Sequence, residues 1–188
     1  VGALAQTPWI RACFTVMPVR KFKLTGDITN LATDETSAGA LVSANHQLDA
    51  DGLVIWALLD MLAPSHPVNG KQGGLYPHES YFSPLSGLKI LLKGDLINVP
   101  IFGWGMWFFE YVFLARNWQK DRKPLISKLS SFREDGLAPH VLIFPEGTTL
   151  NDRTQEKGNK YARERNRPEF RHLISPRTTG FHACLEAM

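Results

Sequence analysis

Three short apolar runs in this chain each end abruptly on polar residues: 40–44 runs into Asn45-His46-Gln47, 111–115 into Arg116, and 141–144 into Pro145-Glu146-Gly147. A run of four or five apolar residues closed by turn formers reads as a buried strand. A fourth run, 88–92, ends at Lys93. Helical patterns alternate with these strands. One starts at Asp49 or Asp51 and passes through Leu53, Ile55, Trp56, Leu58, Leu59 and Leu62. Others are expected over 103–110, over 123–133 and, polar and basic, over 151–166. Strand–helix alternation predicts one α/β domain with a mixed, mostly parallel central sheet flanked by helices. Open sheets of this class bind ligands at strand carboxyl ends, so the three polar endings are expected to converge on one cleft.

Two segments stand apart. Residues 19–24 read as a further strand closed by Thr25-Gly26-Asp27. Residues 63–87 are rich in Pro, Gly, Ser and His and read as a long inserted loop. The 188 residues make one domain, spanning 1–188, and the chain reads as a piece of a longer protein. A 44% hydrophobic content excludes a disordered chain.

Net charge is only +3, which does not call for nucleic acid. The basic excess is local: six Lys/Arg against one acid lie between Arg116 and Arg133. A solvated helix face is the bland account; phosphate, a coenzyme or a membrane surface is the sharper one. Cys13 and Cys184 are 171 positions apart, which excludes a disulfide framework and a zinc knuckle. A reducing setting is the default expectation. No metal site is expected, because the histidines are scattered. Neither a signal peptide nor a run of 18 uncharged apolar residues is visible. The nearest approach is 96–115, where Trp104, Trp107, Phe108, Phe109, Tyr111 and Phe113 crowd together. Such density fits a core segment or one resting at a bilayer interface.

His46 and Asp51 form His-x4-Asp across a strand-to-helix turn. That spacing lets Asp51 hold one imidazole nitrogen while the other stays free as a base. Asp49 competes for the same role, and spacing does not separate the two. No nucleophile accompanies the pair: Gly-x-Ser-x-Gly is absent and neither cysteine has a motif. A base without an enzyme nucleophile suits transfer of an activated acyl group to an alcohol. Gly147 permits a tight turn beside Glu146. Arg116 offers a guanidinium fork for phosphate.

Together these segments resemble the PlsC-like glycerolipid acyltransferase family. Asn45-His46-Gln47-Leu48-Asp49-Ala50-Asp51 is similar to its first block and Arg116 to its second. Phe144-Pro145-Glu146-Gly147-Thr148 is similar to its third, and Ile174-Ser175-Pro176-Arg177-Thr178-Thr179-Gly180-Phe181 to its fourth. The details resemble the eukaryotic lysocardiolipin and lysophosphatidylinositol acyltransferase-like branch. The resemblance implies a glycerol-3-phosphate acyltransferase-like fold and transfer of a fatty acyl group from acyl-CoA to a free hydroxyl of a lysophospholipid. It implies a membrane surface, an endoplasmic-reticulum location, and no cofactor beyond acyl-CoA as co-substrate. His46 and Asp51 would be catalytic. Arg116, Glu146, Gly147, Thr148, Pro176 and Arg177 would bind substrate, with Glu146 bracing Arg116 and Pro176 and Arg177 on the acyl or coenzyme side. Thr149 is a departure, since many members carry Arg there. The alternatives are a non-catalytic lipid-binding module and a lipid hydrolase using the same pair.

Overall fold

A computed structural model describes residues 40–62, 88–135 and 139–188, together with Lys23, Thr25 and Gly26. The expected strand at 19–24 and the long loop at 63–87 lie outside the described residues.

Four strands form one parallel sheet: β1 (Ala40–Ser43), β2 (Leu88–Lys93), β3 (Val112–Leu114) and β4 (His140–Ile143), in the order β1-β4-β2-β3. The mostly parallel sheet expected from the sequence is found, and the described strands are all parallel. β4 is central, so its Val141, Leu142 and Ile143 are buried on both faces. Leu142 faces a core with Leu88, Ile90, Trp56 of helix α1 (Asp51–Leu62), Phe109 and Tyr111. Val141 and Ile143 face the other core. There they meet Leu125, Leu129 and Phe132 of α3 (Trp118–Glu134) and Cys184 and Ala187 of α5 (Thr178–Ala187). Strand alternation thus sends neighbouring residues to opposite helical layers.

Helix α3 begins five residues before the expected Lys123. The actual start is set by Asn117, whose side chain caps the N–H groups of Gln119 and Lys120. Helix α4 (Asp152–Arg163) starts at a reciprocal capping box between Asn151 and Thr154. Helix α5 was not anticipated beyond an apolar segment near the chain's end.

The aromatic stretch divides between buried and exposed positions. A 3₁₀ turn (Gly94–Asn98) and α2 (Phe102–Phe108) carry it across from β2 to β3. Phe109 and Tyr111 are buried, whereas Ile101, Trp104 and Trp107 are each more than 60% exposed. Between the two helical pieces, the Phe102 N–H bonds to the Pro100 carbonyl at 2.7 Å, with Ile101 at φ 67°, ψ −57°. This is the rare strained γ-turn, here carried by a β-branched residue.

At the other end of the sheet Lys89 is buried. Its ammonium donates to the Phe109 carbonyl (3.0 Å) and pairs with Glu110 (3.3 Å). Burial, the dominant cause, lowers the Lys89 pKa. Lys128 takes the other Glu110 oxygen at 2.8 Å, and both ammoniums lie over the Phe132 ring. The cluster ties the turn before β3 to α3.

Candidate active site

His46 follows β1, Arg116 follows β3, and Glu146 follows β4. In a parallel sheet all three therefore stand at the carboxyl edge. β1 and β4 are hydrogen-bonded neighbours, in register from Ala40 with His140 to Ser43 with Ile143. The pairing continues past the strands: the Ala44 N–H reaches the Ile143 carbonyl and the Leu150 N–H reaches the His46 carbonyl. The two loops that carry His46 and Glu146 are thus bound to each other.

The choice between two aspartates is settled by geometry. Asp51 Oδ2 lies 3.2 Å from His46 Nδ1 and accepts the Gln47 and Leu48 N–H groups at 2.6 and 2.8 Å. A carboxylate only accepts, so Nδ1 carries the proton and Nε2 faces the opposite way. The Phe144 ring stacks on the imidazole at 4.2 Å and 18°. Such a face suits a cationic ring. Asp49 does not hold Nδ1. Its carboxylate accepts from the Thr149 hydroxyl at 2.7 Å, and that hydroxyl oxygen lies 3.3 Å from His46 Nε2.

Beyond the dyad, Glu146 is 5% exposed. The backbone N–H groups of His46 and Ile174 favour its charged form, but burial outweighs them and raises its pKa. Among the described residues its Oε2 has no hydrogen-bond partner. A cavity of about 90 Å³ adjoins Glu146, lined also by Thr148, Lys157, Tyr161, Ser175 and Arg177. Gly147, at φ 71°, makes the turn that an L side chain would strain. The Arg177 N–H donates to the Pro145 carbonyl at 2.8 Å, joining the 174–177 segment to this turn. Helix α4 presses on the same segment: a Cβ on Gly158 would fall 2.6 Å from Ile174 Cγ2.

A group with a raised folded pKa contributes stability below its unfolded pKa, near the ordinary 4.5, and loses it as pH climbs through the folded value. Glu146→Gln is therefore expected to raise stability at pH 7, with the gain vanishing below the unfolded pKa. Thermal midpoints of both proteins across pH 4–7 check this; a destabilised variant at pH 7 would refute the sign.

Of the expected site residues, the structure gathers His46, Asp51, Glu146, Gly147, Thr148 and Arg177. Pro176 is exposed between Ser175 and Arg177. Arg116 stands apart, because β3 is three strand spacings from β1, about 14 Å at the backbone. Glu146 does not brace Arg116: its carboxylate turns inward to the His46 and Ile174 backbone instead. Arg116 is displayed by a turn of its own. It sits at φ 60°, and Asp121 clamps the N–H groups of Ala115 and Asn117 on either side of it at 2.7 and 2.9 Å. The strained backbone is thus held in place by its neighbours.

The stacking of Phe144 on His46 and the hydrogen bond from Thr149 to Asp49 were not anticipated. The 100-residue gap between Thr149 and Asp49 left no local signal. Among the described residues no group of three or more His, Cys, Asp or Glu could hold a metal ion. Cys184 is buried, and burial pushes its thiol up to about 11, so it is no nucleophile at neutral pH.

The family model described as Acyltransferase matches residues 26–184. The chain belongs to the acyltransferase family. It is 32% identical over 79% of its length to the 1-acyl-sn-glycerol-3-phosphate acyltransferase delta of Homo sapiens, covering 34% of that protein. It is also 32% identical, over 98% of its length, to 1-acyl-sn-glycerol-3-phosphate acyltransferase 2 of Brassica napus, covering 43% of it. To lysocardiolipin acyltransferase 1 of Danio rerio it is 26% identical over 97% of its length, covering 42%. This acyltransferase-family chain thus spans between a third and a half of the length of these relatives. No solved structure matches it.

Proposed function

We propose that this chain is the catalytic domain of an acyltransferase that moves a fatty acyl group from acyl-CoA to a free hydroxyl of a lysophospholipid. The observation that carries the reading is the His46–Asp51 pair, with Nε2 turned away from Asp51 at the carboxyl edge of a sheet in a chain of this family. His46 Nε2 takes the proton of the acceptor hydroxyl. The oxygen attacks the thioester carbonyl, the tetrahedral intermediate collapses, and the coenzyme leaves as thiolate, which recovers the proton from the imidazole. The Phe144 face and the Asp51 carboxylate both favour the imidazolium in between. Arg116 reaches toward a substrate phosphate from the far side of the edge. Glu146, Gly147 and Thr148 shape the acceptor pocket, and Pro176 and Arg177 lie on the acyl or coenzyme side.

A membrane surface fits the exposed apolar side chains of α2 and its approach: Ile101, Phe102, Trp104, Trp107 and Phe108. Trp and Phe of this kind settle at the lipid–water interface. No helix among the described residues is long and apolar enough to cross a membrane. In a eukaryotic cell the endoplasmic reticulum is the proposed location.

The test is an acceptor panel. Membranes containing the full-length protein are given labelled acyl-CoA and a series of lysophospholipids. Labelled phospholipid from at least one acceptor is expected. Free fatty acid without acceptor dependence would indicate a hydrolase, and binding without turnover a lipid-binding module; either overturns the proposal.

A further inference from the structure

Both nitrogens of the His46 imidazole lie within hydrogen-bond reach of a side-chain oxygen, Asp51 Oδ2 at Nδ1 and the Thr149 hydroxyl at Nε2. We propose that Asp49, acting through the Thr149 hydroxyl, is a second carboxylate arm that positions Nε2 and stabilises the imidazolium formed during transfer. The inference rests on the general-base reading of His46.

Hydrogen-bond bookkeeping supports it. A threonine hydroxyl has one proton and two lone pairs, and a carboxylate has only lone pairs. The 2.7 Å contact therefore uses the Thr149 proton on Asp49, which leaves a Thr149 lone pair toward Nε2 at 3.3 Å. On the other side, the 3.2 Å contact uses the Nδ1 proton on Asp51. Donors and acceptors then alternate along the whole chain, Asp51–His46–Thr149–Asp49, when Nε2 also carries a proton. That is the state reached after the acceptor has given up its hydrogen. Before transfer, Nε2 receives the acceptor hydroxyl. As the acceptor oxygen bonds to the carbonyl carbon it ceases to compete for the N–H, and Thr149 accepts it. The proton then passes to the departing thiolate, so no further reactant is needed.

The location fits the role. Thr149 is half-buried and comes from the loop after β4; Asp49 is exposed and comes from the loop after β1. Thr149 is held independently of Asp49, because the Thr154 hydroxyl of the α4 capping box donates to its carbonyl at 2.8 Å. A mere tie between loops would not require the hydroxyl to lie within reach of Nε2. Thr149 and Asp49 are positioning residues: they act through His46.

The experiment is a double-mutant cycle on the full-length protein, with acyl-CoA and an acceptor that wild type uses. Thr149→Val and Asp49→Asn are each expected to lower kcat about tenfold, with KM for both substrates unchanged. Thr149→Ser keeps the hydroxyl and should stay near wild type. The double variant should be no slower than either single one, because the two residues form one arm. Wild-type kcat in both single variants, a loss confined to KM, failure of the serine to rescue, or multiplying effects would each overturn the proposal. Asp49→Asn changes an exposed side chain, so it carries the test if Thr149→Val does not fold. His46→Ala run in parallel keeps the two levels separate. Turnover surviving without His46 rejects the general-base reading, whereas normal His46 dependence with indifferent Thr149 and Asp49 variants rejects this inference alone.

Discussion

A His46→Ala variant of the full-length protein is expected to keep its fold and to lose acyl transfer by about 10²–10⁴-fold, the usual worth of a positioned general base. The imidazole is half-buried, and its backbone duties, the carbonyl accepting from Leu150 and the N–H serving Glu146, survive the substitution. What disappears is the one ring nitrogen turned toward the site. Asp51→Asn should come next. An asparagine oxygen can still accept from the Gln47 and Leu48 N–H groups, so the turn should hold. It no longer offers the charge that fixes the Nδ1 proton and favours the imidazolium, so Nε2 is less often the free base. The Asp51 loss should exceed the Asp49 loss, because Asp51 touches the ring and Asp49 works through a hydroxyl. Initial rates on membranes, with circular dichroism as the folding control, check all three. Wild-type turnover in His46→Ala would remove the mechanism; an Asp49 effect larger than the Asp51 effect would reverse the order of the two carboxylates.

The largest loss of stability is expected from a single methyl group. A Cβ on Gly103 would stand 2.4 Å from the carbonyl oxygens of Leu96 and Ile97 and 2.6 Å from the Ile97 carbonyl carbon. These are backbone atoms and cannot swing aside as a side chain would. Nor can the turn back away easily. The Gly103 N–H is bonded to the Val99 carbonyl at 2.7 Å, and a Cβ on Gly94 at the start of the same 3₁₀ turn would stand 3.2 Å from the Leu114 carbonyl oxygen of β3. Gly103→Ala is expected to cost about 3 kcal/mol, the upper part of the overpacking range. For a chain of this size that lowers the melting temperature by about 6–12 °C. Gly180→Ala is the control. It lies in α5 with nothing within 4 Å of the new carbon, so the better helix propensity of alanine should leave stability unchanged or slightly higher. Equal melting of the two variants would contradict the packing argument. The close backbone approach accounts for the glycine at position 103.

The sheet was legible because its strands are short apolar runs closed by polar residues, a pattern that depends only on neighbours along the chain. Their all-parallel pairing and the order β1-β4-β2-β3 depend on which helices cover which face, and no local pattern encodes that. Helix α3 shows the limit at finer scale. The start was expected at Lys123, while the real start is set by Asn117 and Asp121, whose carboxylate pins the turn that displays Arg116.

The candidate site divides in the same way. His46, Asp51, Arg116, Glu146, Gly147 and Arg177 are named by motifs within a few residues of each other, since turn geometry and reactive chemistry are local. By itself the sequence determined the residue types, the family resemblance and the edge of the sheet where the polar groups gather. Only the tertiary structure decided that Asp51 rather than Asp49 holds Nδ1, that Glu146 faces inward instead of bracing Arg116, and that Thr149 reaches Nε2. Each of those depends on hydrogen bonds a few ångströms long between segments up to about a hundred residues apart. The Asp51 contact closes within one turn, whereas the Glu146 and Thr149 contacts to His46 exist only once strand pairing has brought the two loops side by side.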